Sequence, residues 1–599
     1  MIRRGVVFVM LFAAVLAGLI APAWGQAAPE GNAHPEMRPS HAEGDMIRYP
    51  FGPPTGGPVG EAALAEAVER KIAFSRAVDL SPLRSLAVND GGRVKVLATL
   101  AEETVSEITG RRRYIEFVED TSGKPRSVAF DALFTLIDMV IDPGFYDQRP
   151  LVHIEYLPLR RAIVERGLVE VRDGANRFVL RPLSDEDVEA YLRLTRVSPL
   201  TIQGHHEAIR NAYEMQDPYR QGMQRMYRSL QRFSSAPESF LVVAPGRQDK
   251  QWRHLAEEYP ASIEARRLAV AFGQAWRAGD AERVNALAQQ LAEVLPTINA
   301  EHYPTTRRAL EVLYIQARPF VLGYWAYLFA LVTLLIGMGT QRRGLAWMGT
   351  AFLLIAVTMH AAGFVLRCLI AERFAIQNQF ESMTGVSLFA SILALGLMAW
   401  RRQLLFGAAA AATGFLILIT ATEARIPGQV IGREAAILNT SVLLKYHVTT
   451  VLVSYGLIAL GFILSLFYLG THYGSKAGTL LAKVEGTSET PAAKAPSRVL
   501  RDLDRATMIV LQLAFWTLGV GILLGAWWAD HSWGRWWAFD PKETWALITW
   551  IIYLIVIHVR ITSRRRELVT AWLSVLGFIV MLWTYFGVNL LLPGLHAYA

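Results

Sequence analysis

The sequence predicts a polytopic α-helical membrane protein of about eight transmembrane helices with an N-terminal, mainly helical exported soluble domain. Three observations carry that prediction. The 599 residues are 52% apolar, more than a chain of ordinary water-exposed domains needs. The apolar excess collects after Pro319, in runs near the ~20 residues that cross a bilayer. The first residues combine a basic pair, an apolar core and small residues, the pattern of a secretory signal.

Taken in order, residues 1–25 are the signal: Arg3 and Arg4, then Val6 to Ile20, then Ala23 and Gly25, with cleavage expected near Gly25–Gln26. An uncleaved anchor helix is the other reading, and both export the next segment. Residues 26–60 are rich in Gly, Pro, Ala and His and read as a flexible linker. Residues 61–318 read as a periplasmic domain. In it "HLAEEYPASIEARRLAVAFGQAWRAGDAERVNALAQQLAEVL" forms two or three amphipathic helices broken at Gly279–Asp280, and "GRVKVLATL" and "NRFVLRPL" suit strands. No phosphate loop, triad or zinc spacing marks this domain, and its role is not legible. A lone cysteine, Cys368, and the absence of CxxC or CxxCH exclude an internal disulfide, a thiol oxidoreductase and a c-type cytochrome.

Residues 319–599 carry eight expected spans, at 320–339, 346–367, 385–400, 403–421, 447–470, 508–528, 545–561 and 568–590. One set of connecting loops holds fourteen Lys and Arg (342–343, 401–402, 476–505, 560–566); the opposite set holds six. The richer set faces the cytoplasm by the positive-inside rule. That puts residues 26–318 and the C-terminus outside, as the signal does. Loop charge accounts for the basic balance, so no nucleic acid is implied.

Seven of the sixteen tryptophans (527, 528, 533, 536, 537, 545 and 550) fall in one outer region, "WGRWWAFDPKETWALITW" and its approach. An interfacial belt explains part of this. If 533–540 were helical, Trp533, Trp536, Trp537 and Asp540 would share a face and form a shelf for a planar ligand. "DPKE" also reads as a helix start, with Asp540 as N-cap, Pro541 first and Glu543 closing a capping box. His447 opens the fifth span and His596 follows the eighth, both at the outer level. Two imidazoles beside an aromatic shelf make a bis-His haem site. His558, near the inner end of the seventh span, suits either the helix C-terminus or a second haem site. His360 lies at a different depth, and His531 and His472 are bystanders.

"WGRWWAFDPKETWALITWIIYLIVIHVR" resembles the WWD signature of the CcsA family, the haem-handling membrane protein of system II cytochrome c assembly, with the WWD loop at 527–545. "QNQFESM", "NTSVLLKYHVTTVLVSYGLIALGFILSLFYL" and "FGVNLLLPGLHAYA" extend the resemblance over most of 345–599. It implies that His447 and His596 are external axial ligands to haem iron and that His558 belongs to a transmembrane haem site. Phe539 departs from the pattern, standing where a Trp precedes Asp540. The exported domain resembles an extension of some long CcsA-like proteins.

The expected function is cytochrome c biogenesis: haem b, in transit, is held on the outer face and presented to apocytochrome c CxxCH. The chain would be a subunit of a holocytochrome c synthase in the bacterial inner membrane. Its partners would be a CcsB/ResB-like membrane protein, apocytochrome c and membrane lipid. The alternatives are a haem-containing membrane electron carrier and a system I haem handler like CcmC or CcmF.

Overall fold

The structure is a computed structural model and describes residues 48–56, 61–119, 125–165, 168–172, 178–182, 185–203, 217–247, 250–424, 426, 428–432, 442–484, 495–563 and 565–592. The expected signal at 1–25 and His596 lie outside the described residues. The chain divides into two compact units, residues 1–312 and 313–599.

The N-terminal unit is mainly helical, with four two-stranded antiparallel pairs among the described residues. The expected strand "NRFVLRPL" contains Phe178–Pro182, paired with Leu168–Arg172. "GRVKVLATL" divides: Arg93–Val96 is a strand, and Leu97 begins a helix to Thr109. The expected break falls between helices Ile263–Ala278 and Ala281–Val294. Gly279 takes φ +71° there, and the Asp280 carboxylate accepts the Arg283 N–H at 3.0 Å. Residues 48–56, expected within the flexible linker, are instead docked onto this unit. Phe51 is buried, edge-on to Phe240 at 5.1 Å, and its carbonyl accepts from Arg277 Nη2 at 3.0 Å.

Its core is organised by a fully buried ten-residue helix, Ala132–Ile141. Asp138 on that helix accepts from Lys71 Nζ at 2.9 and 2.8 Å, Tyr146 Oη at 2.8 Å and Trp276 Nε1 at 2.9 Å. Burial alone would depress the Lys71 pKa, but Asp138 and Asp142 outweigh it and hold the group above its usual value.

The second unit contains eight helices long and apolar enough to cross a membrane. We label them α1 (Pro319–Thr340), α2 (Arg343–Ala371), α3 (Gln379–Arg401), α4 (Leu404–Glu423), α5 (Val442–Val484), α6 (Ala495–Trp533), α7 (Pro541–Thr562) and α8 (Arg566–Leu582). All eight expected spans are present, and the protein is a multi-pass helical membrane protein. Helices α1–α4 pack as one group and α5–α8 as another, joined through α3 and α4 against α5. In lipid no hydrophobic drive brings helices together, so small residues set how closely they approach. Accordingly α4 is buried along Gly407–Gly414, where a Cβ on Gly414 would come within 2.7 Å of the Tyr327 ring. Enclosure differs sharply: 72% of the apolar window of α3 is buried, against 17% for α7. The Cys368 sulfur on α2 accepts the Ala375 N–H at 3.3 Å.

Substituting Asp138→Ala strips three donors of their acceptor and leaves Lys71 with Asp142 alone. We expect a loss of about 3–5 kcal/mol, read from denaturant unfolding of residues 48–312 followed by Trp276 fluorescence.

Candidate haem-handling cavity

A cavity of about 250 Å³ opens in the membrane unit between the N-terminal ends of α3, α5 and α7 and the C-terminal ends of α6 and α8. Helix α5 presents His447, Val448, Val451, Leu452 and Tyr455 to it, residues spaced to share one helical face. The His447 Nδ1–H donates to the Gly521 carbonyl of α6 at 2.8 Å. A carbonyl only accepts, so the proton is on Nδ1 and Nε2 carries the lone pair that binds metals. Helix α6 permits this contact because it is glycine there: a Cβ on Gly525 would lie 2.5 Å from His447 Cε1, and one on Gly521 2.8 Å from Val451. Gly521 and Gly525 form a GxxxG pair that the sequence displays and that sets the α5–α6 approach.

The aromatic wall differs from the helical shelf expected for 533–540. Helix α6 ends at Trp533, and residues 534–540 are irregular, with Gly534 at φ +69° and Phe539 at φ +55°. A helix cannot run through this stretch because Asp540 starts the next one. Its Oδ2 accepts the Lys542 N–H at 3.1 Å, and Glu543 Oε2 accepts the Ala538 and Asp540 N–H groups at 2.9 and 3.3 Å. The expected capping box is present. Asp540 is buried and outside the cavity wall, acting as the cap. Trp536 and Trp537 line the cavity from the loop, joined by Trp528 from the last turns of α6. Trp533 supports from behind, edge-on to Trp528 at 4.9 Å and 71°. Phe539, in place of the usual Trp, is 81% exposed and touches Trp537 edge-on.

The opposite wall is one that residue reasoning missed. Gln377, Asn378, Gln379 and Ser382, all within "QNQFESM", face the cavity at the start of α3. Glu381 of the same motif points away, fully buried against an equally buried Arg367 and a partly buried Arg373. Its carboxylate takes Arg367 Nε at 3.0 Å and Arg373 Nη1 at 2.6 Å, and it accepts the Gln377 N–H at 3.1 Å. Arg367 also donates to the Gly428 and Gln429 carbonyls at 2.6 and 2.8 Å. Two charges set in apolar runs were the available signal, since such residues are costly without partners. Tyr585 and Thr584 close the site from a π-helical turn, Trp583–Gly587, continuing α8. The extra residue of such a turn redirects side chains and recurs at functional sites. Tyr585 Oη bonds Ser382 Oγ and reaches the Gln379 carbonyl at 3.3 Å.

The remaining histidines fall apart from this site. His558 is on α7, sixteen residues beyond Lys542, so about 24 Å along the axis. It is exposed, with its Nδ1–H on the Leu554 carbonyl at 2.8 Å. His360 is a buried packing residue between the Tyr327 hydroxyl at 3.3 Å and the Thr384 carbonyl at 3.0 Å. His531 is exposed on the Trp527 carbonyl. No group of three or more His, Cys, Asp or Glu able to hold a metal ion is formed among the described residues.

Residues 318–596 match the family described as Cytochrome C assembly protein. The cytochrome c biogenesis protein CcsA of Synechococcus sp. (strain WH7803) is 32% identical over 259 residues, covering 40% of this chain and 80% of that relative. The chain belongs to the CcsA family. The CcsA of Gloeobacter violaceus is 28% identical over 315 residues, 46% of this chain and 90% of its own length. The CcsA of Chlamydomonas reinhardtii is 36% identical over 155 residues, 26% of this chain and 40% of its own length. The function of this CcsA-family chain lies in cytochrome c biogenesis, and the family match begins where the membrane helices do.

Glu381 is the support on which the polar wall of this CcsA-family cavity depends. Glu381→Ala leaves Arg367 fully buried without a carboxylate, and we expect a loss of about 3–5 kcal/mol. A lowered melting temperature of the detergent-purified protein, with Glu381→Gln between it and wild type, checks this.

Proposed function

We propose that the cavity receives haem b in transit and presents it for covalent attachment to apocytochrome c, as a subunit of a holocytochrome c synthase. One observation carries this reading: an imidazole with its metal-binding nitrogen defined by a backbone carbonyl opens onto the same cavity as three indole rings. Imidazole binds iron well, and indole faces suit a flat aromatic macrocycle. Holding haem in one pose would contribute to rate by proximity. In the attachment step each CxxCH thiol adds across a vinyl C=C bond, sulfur to one carbon and hydrogen to the other, with no net oxidation.

His447 is one axial ligand, and His596, outside the described residues, is the second. His558 faces away from the bundle on its least enclosed helix. A transmembrane haem site there would draw its other ligand from a separate CcsB/ResB-like polypeptide. The loop charges orient the protein in the bacterial inner membrane, with the cavity and residues 26–318 on the periplasmic side after the signal peptide.

The reading is tested at His447. In His447→Gly the low-spin bis-imidazole spectrum should give way to a mixed or high-spin one, and cytochrome c maturation should fail. Glycine leaves a ring-sized hole, so added imidazole should restore both. An unaltered haem spectrum in His447→Gly would remove the assignment.

Orientation is tested separately. Reporters fused after Arg402 and after Arg566 should be active as cytoplasmic fusions, and one fused after Ala599 as periplasmic. A periplasmic signal at Arg566 would overturn the arrangement.

A further inference from the structure

Four hydroxyl groups line the cavity, those of Ser382, Tyr455, Thr584 and Tyr585. Three are engaged within the protein: Ser382 Oγ and Tyr585 Oη bond one another, and Thr584 Oγ1 donates to the Val580 carbonyl at 2.9 Å. The Tyr455 hydroxyl has no hydrogen-bond partner among the described residues. The residue is only 6% exposed, and its ring is held edge-on to Tyr585 at 6.1 Å and 87°. Its Oη is nevertheless not sealed inside the bundle but opens on the cavity. A phenol taken out of water gains from a hydrogen-bond acceptor, and tyrosines buried in apolar surroundings usually find one. Here the acceptor has to arrive with whatever fills the cavity.

Tyr455 follows His447 by eight residues on α5, about 12 Å further along the axis and away from the end where the cavity opens. Iron on His447 Nε2 meets the ring face-on, so the disc extends along α5 toward Tyr455. Haem offers few acceptors. Its ring nitrogens are committed to iron, and its methyl and vinyl groups accept nothing. Only the two carboxyl groups remain, side by side on one edge of the disc. We infer that Tyr455 Oη donates a hydrogen bond to a carboxyl group of the bound haem. This rests on the haem reading above. It makes Tyr455 a specificity-determining contact that also sets the pose. The carboxyl edge turns to the inner end of the cavity, and the vinyl half turns to the opening, where a CxxCH thiol enters.

The test uses the full chain in detergent, stripped of pigment and titrated with haem and, separately, with haem dimethyl ester, followed by absorbance. Tyr455→Phe removes one oxygen and keeps the ring and its contact with Tyr585. It should weaken haem binding about tenfold, the loss of one hydrogen bond to a charged group. Ester binding should change far less, so the ratio of the two affinities falls, and the bis-imidazole spectrum should persist. Because the hydroxyl has no partner until the ligand arrives, haem-free Tyr455→Phe should melt no lower than wild type. A haem-to-ester ratio that Tyr455→Phe leaves unchanged overturns the inference while the haem reading stands. A lowered melting temperature of the haem-free variant does the same, since it makes the hydroxyl structural. A wild type that binds neither ligand sinks the haem reading itself, and this inference with it.

Discussion

The close approach of α5 and α6 is the contact on which the cavity depends. Without side chains at Gly521 and Gly525, α6 brings a backbone carbonyl to 2.8 Å from His447 Nδ1 and leaves room for the ring beside it. A helix normally commits every carbonyl to itself, so accepting an outside donor at Gly521 requires the donor to come alongside its turn. Only a surface shaved to the backbone admits that. The same two glycines therefore pack the helices and fix the tautomer of the imidazole. A third, Gly519, lies where a Cβ would fall 2.8 Å from Trp550 Nε1, and Trp550 stacks on Phe515 at 4.9 Å, carrying the tight packing on to α7.

The walls come from both four-helix groups, and each is stabilised differently. On one side, α3 is anchored by Glu381 between two arginines, and its guanidinium partner Arg367 reaches the carbonyls of the segment after α4. On the other, the loop between α6 and α7 is short, and its conformation is dictated by the cap at its end. Far from the cavity, Arg560 and Asp504 tie α7 to α6 through paired hydrogen bonds, one of them 2.6 Å. Helix α7 is thus held at both ends while its middle remains the least enclosed of the eight.

The eight spans were legible because hydropathy accumulates along the chain and needs no knowledge of neighbours. His447, Trp536, Trp537 and the capping role of Asp540 were legible for a similar reason: each rests on local composition or a four-residue pattern. The helical shelf failed because the glycine at 534 and the cap at 540 both interrupt the period that the tryptophan spacing suggested. Gln377–Ser382 was visible as a motif, yet its place opposite His447 depends on how α3 meets α5, which no local pattern encodes. The GxxxG of α6 was present in plain sight among many apolar residues. Its meaning emerged only once the imidazole beside it was placed. Phe51 shows the converse, since a Gly- and Pro-rich segment gave no hint that one aromatic ring would dock it.

The single thiol has a consequence for the chemistry the family performs. Cytochrome c maturation requires substrate cysteines to stay reduced and reach their target. Any accessible thiol on the machinery competes, by attacking or being attacked to give a mixed disulfide. Cys368 is far along α2, its sulfur engaged by a backbone N–H and packed in the helical bundle. With one cysteine in its 599 residues, the chain brings a single thiol, held against a helix terminus, to any disulfide exchange around it.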